Sequence, residues 1–213
     1  MSVYLFDFDG TLVDSMPTYA ATMKQILKDN RIPFDDSIMK IVTPLGYRGT
    51  AEYYVTLGVP QTVGSMMEFM LSTAIEAYTW HIPAKSNVPQ VLRRLKSQGH
   101  QLNILTASPH TTLDPCLKRL GLFGLFDHIW SCEDFGTTKA DPAIYRRAAQ
   151  RLGAPIDRIL FLDDNLNAIK TAQKAGMPVC GVYDDSSADY VDEMKARADF
   201  YIRDFSELQA ISF

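Results

Sequence analysis

The stretch of sequence that decides the fold is YLFDFDGTLVD, residues 4–14. An apolar run is ended there by two carboxylates, Asp7 and Asp9, and then by Gly10 and Thr11. This pattern predicts a buried strand whose last residues turn outward into a site. Asp7 and Asp9 fall on one face of the strand end, and charges in an apolar setting are costly unless they are paired or bind a metal ion. They need a shared partner, and Mg²⁺, a hard cation that takes carboxylate oxygens, is the natural candidate.

The residues around these carboxylates indicate how the chain continues. Gly10 lets the backbone turn sharply or approach a ligand closely. An alternative interpretation is that the aspartates only cap the following helix, and for Asp14 this is the better one. It suits Asp7 and Asp9 poorly, because both precede the turn and lie among apolar residues.

Length and composition indicate a globular protein. The 213 residues suffice for one α/β domain with an insertion, or for two small domains. An apolar fraction of 46% and a charged fraction of 22% are typical of soluble proteins. The net charge is −4 and the Lys and Arg residues are scattered, so no nucleic-acid partner is expected.

Cysteine usage and hydropathy predict the compartment. The three cysteines are far apart and odd in number, which favours reduced thiols over a disulfide framework. We interpret the chain as opening directly into its first strand, with no signal peptide. The longest uncharged stretch, residues 53–67, contains Gly, Pro, Gln and Thr and is no membrane span. We expect a cytoplasmic protein without a membrane partner, and the sequence indicates no oligomeric state.

A helical block follows the first strand. Up to about residue 84 no segment has the pattern of a strand in a parallel sheet. Pro and Gly residues separate the helical segments of this block. The predicted helices lie at residues 17–30, 36–41, 50–57 and 65–78.

From residue 87 onward, helices and strands alternate, which predicts parallel βαβ units. The simplest fold is α/β, with a doubly wound, Rossmann-like parallel-sheet core at residues 1–14 and 85–213. A helical domain, residues 15–84, is inserted into it. The later strands are predicted at residues 101–106, 128–131, 158–162, 178–182 and 200–202.

Ligands of an open α/β sheet bind at the carboxyl ends of its strands, so polar residues at these ends are candidate site residues. The second strand ends in Thr106-Ala107-Ser108, whose hydroxyl and N–H groups can hold phosphate oxygens. A simple helix cap is the alternative there.

Two later segments carry charge at comparable places. Lys139 stands just before a predicted helix, where an ordinary surface lysine is the alternative. The strand at residues 158–162 runs into Asp163-Asp164, which repeats the arrangement of the first strand. A solvated helix cap is the alternative for this pair.

Together these pieces resemble, in order, the four motifs of the haloacid dehalogenase superfamily of phosphohydrolases, of the phosphoglycolate phosphatase and beta-phosphoglucomutase type. The resemblance covers residues 1–14 and about 86–200, and the helical block matches a cap inserted after the first motif. The matching residues are Asp7 and Asp9, then Thr106, then Lys139, then Asp163 and Asp164.

The resemblance implies Mg²⁺-dependent hydrolysis of a small phosphorylated metabolite through an aspartyl-phosphate intermediate. Asp7 would attack phosphorus, and Asp9 would protonate the leaving alcohol and then activate water. Lys139 would balance charge. The remaining implied contacts are phosphate binding by Thr106, Ala107, Ser108 and Gly10, and Mg²⁺ binding by Asp164, Asp7, Asp9 through its carbonyl, and Asp163.

Two positions depart from the family pattern: Ala140 stands where Pro is common, and Ala168 where many members have a further Asp. A haloacid dehalogenase proper lacks the second aspartate of the first motif, so Asp9 argues against it. A phosphomutase would carry nearly the same core residues and stays open. A phospho-accepting receiver would place its motifs differently and lack the insertion, and a non-catalytic binding protein would not need every catalytic residue type.

The insertion contributes one further candidate. Gly46-Tyr47-Arg48-Gly49 is interpreted as a glycine-flanked loop between two helices that projects its middle residues outward. The resemblance implies that such a loop reaches toward the core site, where Arg48 would bind an acidic group of the substrate. The alternative is that Arg48 is solvated at the start of the next helix.

Overall fold

The computed structural model describes residues 2–213, apart from the side chain of Pro44. Within this range six strands form one sheet in the order β3-β2-β1-β4-β5-β6, and all neighbouring strands are parallel. The predicted α/β parallel-sheet fold is thereby confirmed. Numbered along the chain, the strands are β1 (Val3–Phe6), β2 (Gln101–Thr106), β3 (His128–Ser131), β4 (Ile159–Asp163), β5 (Val179–Val182) and β6 (Phe200–Ile202).

The helices fall into two groups, and the chain divides into two compact units accordingly. The helical unit, Ser15–Ile82, contains α1 (Met16–Asp29), α2 (Ile38–Val42), α3 (Gly46–Thr56) and α4 (Val63–Trp80). The sheet unit, Met1–Asp14 with Pro83–Phe213, contains α5 (Val88–Ser97), α6 (His110–Arg119), α7 (Pro142–Leu152), α8 (Leu166–Ala175) and α9 (Val191–Arg197).

The register of the central strands brings their carboxyl ends to one edge of the sheet. Phe6 of β1 lies opposite Ile104 of β2 on one side and Leu162 of β4 on the other. The residues of β1 are buried throughout, as expected for a strand covered on both faces. Whatever follows Phe6 and Leu162 therefore emerges side by side.

Helix α5 shows why the flanking helices pack on the sheet. Its buried residues recur at the spacing of one helical face and leave its charged residues at the surface. Helices α7 and α8, which follow the third and fourth motifs, begin at side-chain caps: Asp141 accepts from Ala143 N, and Asn165 accepts from Asn167 N and Ala168 N. These caps fix the chain direction just beyond the strand ends.

The junction between the units is a short paired segment inside the sheet unit. Val13 forms an antiparallel bridge with Ala84, and Asp14 N donates to Pro83 O at 3.0 Å. These contacts place Pro83 and Ala84 in the sheet unit. The second segment of this unit therefore begins at Pro83, two residues before the predicted boundary at residue 85.

The helical unit has its own core, which includes the buried Met23, Tyr54, Met66 and Met70. The Tyr54 hydroxyl donates to Met23 O at 3.1 Å and ties α3 to α1. The predicted loop Gly46-Tyr47-Arg48-Gly49 is wrong, because α3 begins at Gly46 and these residues form its first turn.

None of the helices among residues 2–213 combines the length and the apolar character that crossing a membrane requires. The three cysteines are buried, and none of them forms a disulfide within the described residues.

Candidate active site

Three carboxylates meet where the central strands end. Asp7 directly follows β1, Asp163 is the last residue of β4, and Asp164 comes next. All three are buried, and one oxygen from each lies within 4.8 Å of the others. Buried like charges at this spacing repel one another, so the cluster requires cations.

Lys139 supplies one cation to the cluster. Its Nζ lies 2.7 Å from Asp7 Oδ1 and 2.8 Å from Asp163 Oδ2, with only 14% of the side chain exposed. Tyr145 of α7 donates to the Lys139 carbonyl at 3.2 Å and so helps to hold the lysine backbone. Three carboxylates and one ammonium still carry a net charge of −2 when all are ionised.

The electrostatics of the cluster agree with this charge excess. Burial raises the pKa of Asp7 to about 6, although Lys139 acts in the opposite direction. Burial and the nearby Asp163 raise the pKa of Asp164 well above its usual value. Burial alone would lower the pKa of Lys139, but Asp163 and Asp7 raise it well above its usual value and keep the lysine charged.

Asp7 and Asp163 share the Lys139 ammonium but differ in their other contacts. Asp7 Oδ1 is buried and forms an ion pair with the Lys139 ammonium. Asp163 differs, since its Oδ1 accepts from Asn165 N at 2.7 Å and its Oδ2 from Lys139. Buried carboxylates that together keep a negative net charge have the chemistry of divalent-cation ligands.

Gly10 and Thr11 hold Asp164 in place. The Thr11 hydroxyl donates to Asp164 Oδ1 at 3.0 Å and accepts from Asp164 N at 3.2 Å. Gly10 has φ +69°, and a Cβ there would lie 2.6 Å from Asp164 Oδ2. Only glycine lets the backbone come this close to Asp164, so the close neighbour of Gly10 in the structure is a carboxylate of the protein. The Gly10 N–H donates to Val13 O at 3.0 Å and is thus used within the turn.

Sequence reasoning missed Lys85, which fixes this turn. Its Nζ donates to Gly10 O at 2.7 Å, Tyr183 O at 2.6 Å and Asp184 Oδ2 at 3.0 Å. Its backbone N–H donates to Leu12 O at 3.0 Å. A single lysine carries no periodic or motif signal, and its partners lie far away in sequence, so nothing local could have indicated this role.

The end of β2 provides hydroxyl groups beside Asp9. Ser108 N donates to Thr106 Oγ1 at 3.1 Å, which leaves the Thr106 O–H as a donor. The Ser108 hydroxyl donates to Asp9 Oδ2 at 2.5 Å. Ala107 is exposed between them. Asp9 is half-buried, and among the described residues the close carboxylate group comprises only Asp7, Asp163 and Asp164.

Arg48 belongs to the helical unit and lies in the first turn of α3. Its side chain is 71% exposed, and its guanidinium lies 3.8 Å from Glu52 one turn later. The structure thus shows the solvated helix start that was the alternative interpretation, and a substrate contact by Arg48 stays a prediction.

A parallel sheet with an acidic cluster at the ends of its central strands, and a lysine paired with that cluster, is the arrangement expected of the phosphohydrolases whose motifs the sequence resembles. Residues 4–182 match the family model described as haloacid dehalogenase-like hydrolase, and the chain belongs to this family. The predicted resemblance and the expectation of a hydrolase are confirmed.

Individual proteins agree with the family assignment. The chain is 25% identical over 210 residues to a validoxylamine A 7'-phosphate phosphatase of Streptomyces hygroscopicus subsp. limoneus, covering 97% of this chain and 95% of that one. It is 28% identical over 193 residues to a phosphoglycolate phosphatase of Colwellia psychrerythraea, covering 84% and 83%. A solved structure of a candidate beta-phosphoglucomutase from Thermotoga maritima shares the fold at a TM-score of 0.79 and 19% identity, covering 100% of both chains.

Proposed function

We propose that the protein is a Mg²⁺-dependent phosphatase that hydrolyses a small phosphomonoester through an aspartyl-phosphate on Asp7. The observation that carries this proposal is the buried group of Asp7, Asp163 and Asp164 around the Lys139 ammonium, which keeps an excess of negative charge. The phosphatase names of two curated relatives that match most of the chain support the same chemistry.

The donor set fits a divalent cation. Asp7, Asp164 and the Asp9 carbonyl would hold Mg²⁺, which supplies positive charge that neutralises the carboxylates and a phosphate dianion. Both Asp163 oxygens already accept hydrogen bonds, from Asn165 N and Lys139. These contacts suit a residue that orients Lys139 better than they suit a direct metal ligand, and we assign Asp163 the orienting role.

Asp7 is the nucleophile in this proposal. One of its oxygens forms a bond to phosphorus while the ester oxygen leaves, and the product is an aspartyl-phosphate plus an alcohol. Lys139, 2.7 Å from Asp7 Oδ1, favours the ionised carboxylate that this attack requires. The same ammonium is placed to offset charge on the phosphate oxygens during transfer.

Asp9 moves the protons. In the first step its carboxyl group gives a proton to the leaving oxygen. In the second step the carboxylate takes a proton from a water molecule, whose oxygen attacks phosphorus and releases inorganic phosphate from Asp7. The Thr106 hydroxyl and the Ala107 N–H at the end of β2 are the proposed donors to the phosphate oxygens.

The helical unit, Ser15–Ile82, is proposed as a cap that selects the substrate. Such a cap supplies substrate contacts in addition to those of the reaction centre, and Arg48 is its proposed contact to an acidic group.

A panel of phosphate esters tests the proposal. The purified protein should release inorganic phosphate from at least one small ester with added Mg²⁺, and this release should stop after exhaustive chelation and return when Mg²⁺ is restored. Release that persists undiminished without metal would contradict the Mg²⁺ requirement. Phosphate transfer within a sugar phosphate, without net release, would instead identify a mutase.

A further inference from the structure

Ser108 uses both of its hydrogen-bond donors inside the protein. Its N–H donates to Thr106 Oγ1 at 3.1 Å, and its hydroxyl donates to Asp9 Oδ2 at 2.5 Å. The resemblance implied that Ser108 binds phosphate, but a group that already donates to the protein must give up that bond to bind a ligand. The contact with Asp9 joins the end of β2 to the loop after β1.

The segment that carries Ser108 is held on both sides. Thr106 before it is the last residue of the central strand β2. After it, His110 begins α6 and contacts Asp114 Oδ1 through Nδ1 and Asp134 Oδ2 through Nε2, each at 2.9 Å. Asp134 also accepts from Ser131 N at 2.9 Å, at the end of β3. This anchoring lets the Ser108 hydroxyl act as a fixed donor.

We infer that Ser108 is a positioning residue for Asp9. Its hydroxyl binds one carboxylate oxygen and thereby sets the direction in which the other oxygen points. Asp9 exchanges protons with the leaving group and with water in the proposed mechanism, so its orientation decides how well those transfers are aligned. The inference rests on the proposed function and gives Ser108 a role other than phosphate binding.

A residue that orients Asp9 affects substrates according to their leaving groups, whereas a purely structural residue does not. An alkyl ester needs a proton on its departing oxygen, whereas p-nitrophenolate is a stable anion that leaves without one. Loss of the Ser108 hydroxyl should therefore slow the cleavage of an alkyl ester much more than the cleavage of p-nitrophenyl phosphate. A phosphate-binding role would slow both esters to the same extent, since both present the same phosphate group.

The experiment compares kcat and KM for glycerol 2-phosphate and p-nitrophenyl phosphate in wild type, Ser108→Ala and Ser108→Thr. General acid catalysis contributes about 10²- to 10⁴-fold, so a misaligned acid should cost Ser108→Ala about 10- to 100-fold in kcat/KM for the alkyl ester. The loss in kcat/KM for p-nitrophenyl phosphate should stay under about threefold, because kcat/KM reports the steps up to departure of the leaving group and not the later attack of water, which Asp9 also assists. Ser108→Thr, which keeps the hydroxyl, should restore most of the alkyl-ester rate.

Ser206→Ala is the matched control, because Ser206 also donates its hydroxyl to a carboxylate, that of Asp204, away from the site. It should leave both rates unchanged. If Ser108→Ala does not fold, Ser108→Cys, whose thiol is a weak donor, takes its place in the comparison.

Two results would overturn the inference. Equal losses in kcat/KM for both esters in Ser108→Ala, or a raised inhibition constant of this variant for inorganic phosphate, would show that Ser108 binds phosphate. Either result would leave the proposed function intact. A wild type that hydrolyses neither these nor any other phosphate ester would overturn the proposed function, and this inference with it.

Discussion

Replacing Lys85 by methionine removes the cation that fixes the Gly10 turn. The lysine side chain is 18% exposed and that of its partner Asp184 6%, so the pair is largely shielded from water. Its loss leaves Asp184 without that cation and removes the donor to Gly10 O and Tyr183 O. Breaking a buried pair by removing one partner costs about 3–5 kcal/mol. For a chain of this size that corresponds to a fall in melting temperature of roughly 6–20 °C.

The assay uses tryptophan fluorescence during thermal unfolding. The chain has two tryptophans, Trp80 and Trp130, which lie in the helical unit and the sheet unit. Trp80 is 67% exposed, so Trp80→Phe should be a mild change that leaves Trp130 as the single reporter of the sheet unit. Near-ultraviolet circular dichroism of each variant checks that it is folded before heating.

Lys96 provides the matched control for Lys85. It contacts Asp127 at 2.7 Å, but both side chains are about a third exposed, and such pairs contribute about 0.2–1 kcal/mol. Lys85→Met combined with Asp184→Asn should recover part of the loss, because the unpaired charge is gone. If Lys85→Met destabilises the protein no more than Lys96→Met, the reasoning about the buried pair is refuted.

Three further predictions concern single residues. Gly10→Ala should lower the free energy of unfolding by at least about 1–2 kcal/mol, which is the cost of a left-handed backbone for a residue with a Cβ. The same change should weaken Mg²⁺ binding, measured by calorimetry, because the added methyl group displaces Asp164. Hydrogen bonds to Asp114 and Asp134 raise the pKa of His110 in the folded protein. The stabilisation by the His110 imidazolium is therefore fully present below the unfolded pKa of about 6.5 and is lost as the pH rises through the folded pKa. His110→Gln should lower the melting temperature more at low than at high pH, and equal losses would contradict this. Arg48→Ala should raise KM for an ester with a second acidic group by at most about fivefold, since an exposed cation is screened by solvent. The KM for a neutral ester should stay unchanged. If the variant and the wild type have the same KM for both esters, Arg48 does not contact the substrate.

The strand ends could be predicted because parallel strands share one edge. Asp7, Thr106 and Asp163 each end an apolar run, and the sheet order places β1 between the strands of the other two. Local sequence thus predicted acidic side chains at these strand ends, and this part of the site needed no long-range information beyond strand order. Lys139 was assigned through the family resemblance, because its place before α7 also suits an ordinary surface lysine.

Other contacts had no local signal. Lys85 and Gly10 are 75 residues apart, and Ser108 and Asp9 are 99 apart, so only the folded chain shows these pairs. The start of α3 was missed for a different reason. Glycines predict turns, but a Cβ at Gly49 would lie 2.9 Å from Leu45 Cβ, which indicates a glycine needed for close packing within a helical turn.

The measurement that tests the central claim most directly is mass spectrometry of the protein quenched during turnover with a phosphate ester and Mg²⁺. The account predicts one acid-stable, hydroxylamine-sensitive phosphate on the peptide that contains Asp7, absent from Asp7→Asn, which should also lose turnover. Asp9→Asn, if it spares the first step, should accumulate this phosphopeptide, since the second step needs a base. A wild type that turns over without phosphate on Asp7, together with an active Asp7→Asn, would contradict the covalent mechanism.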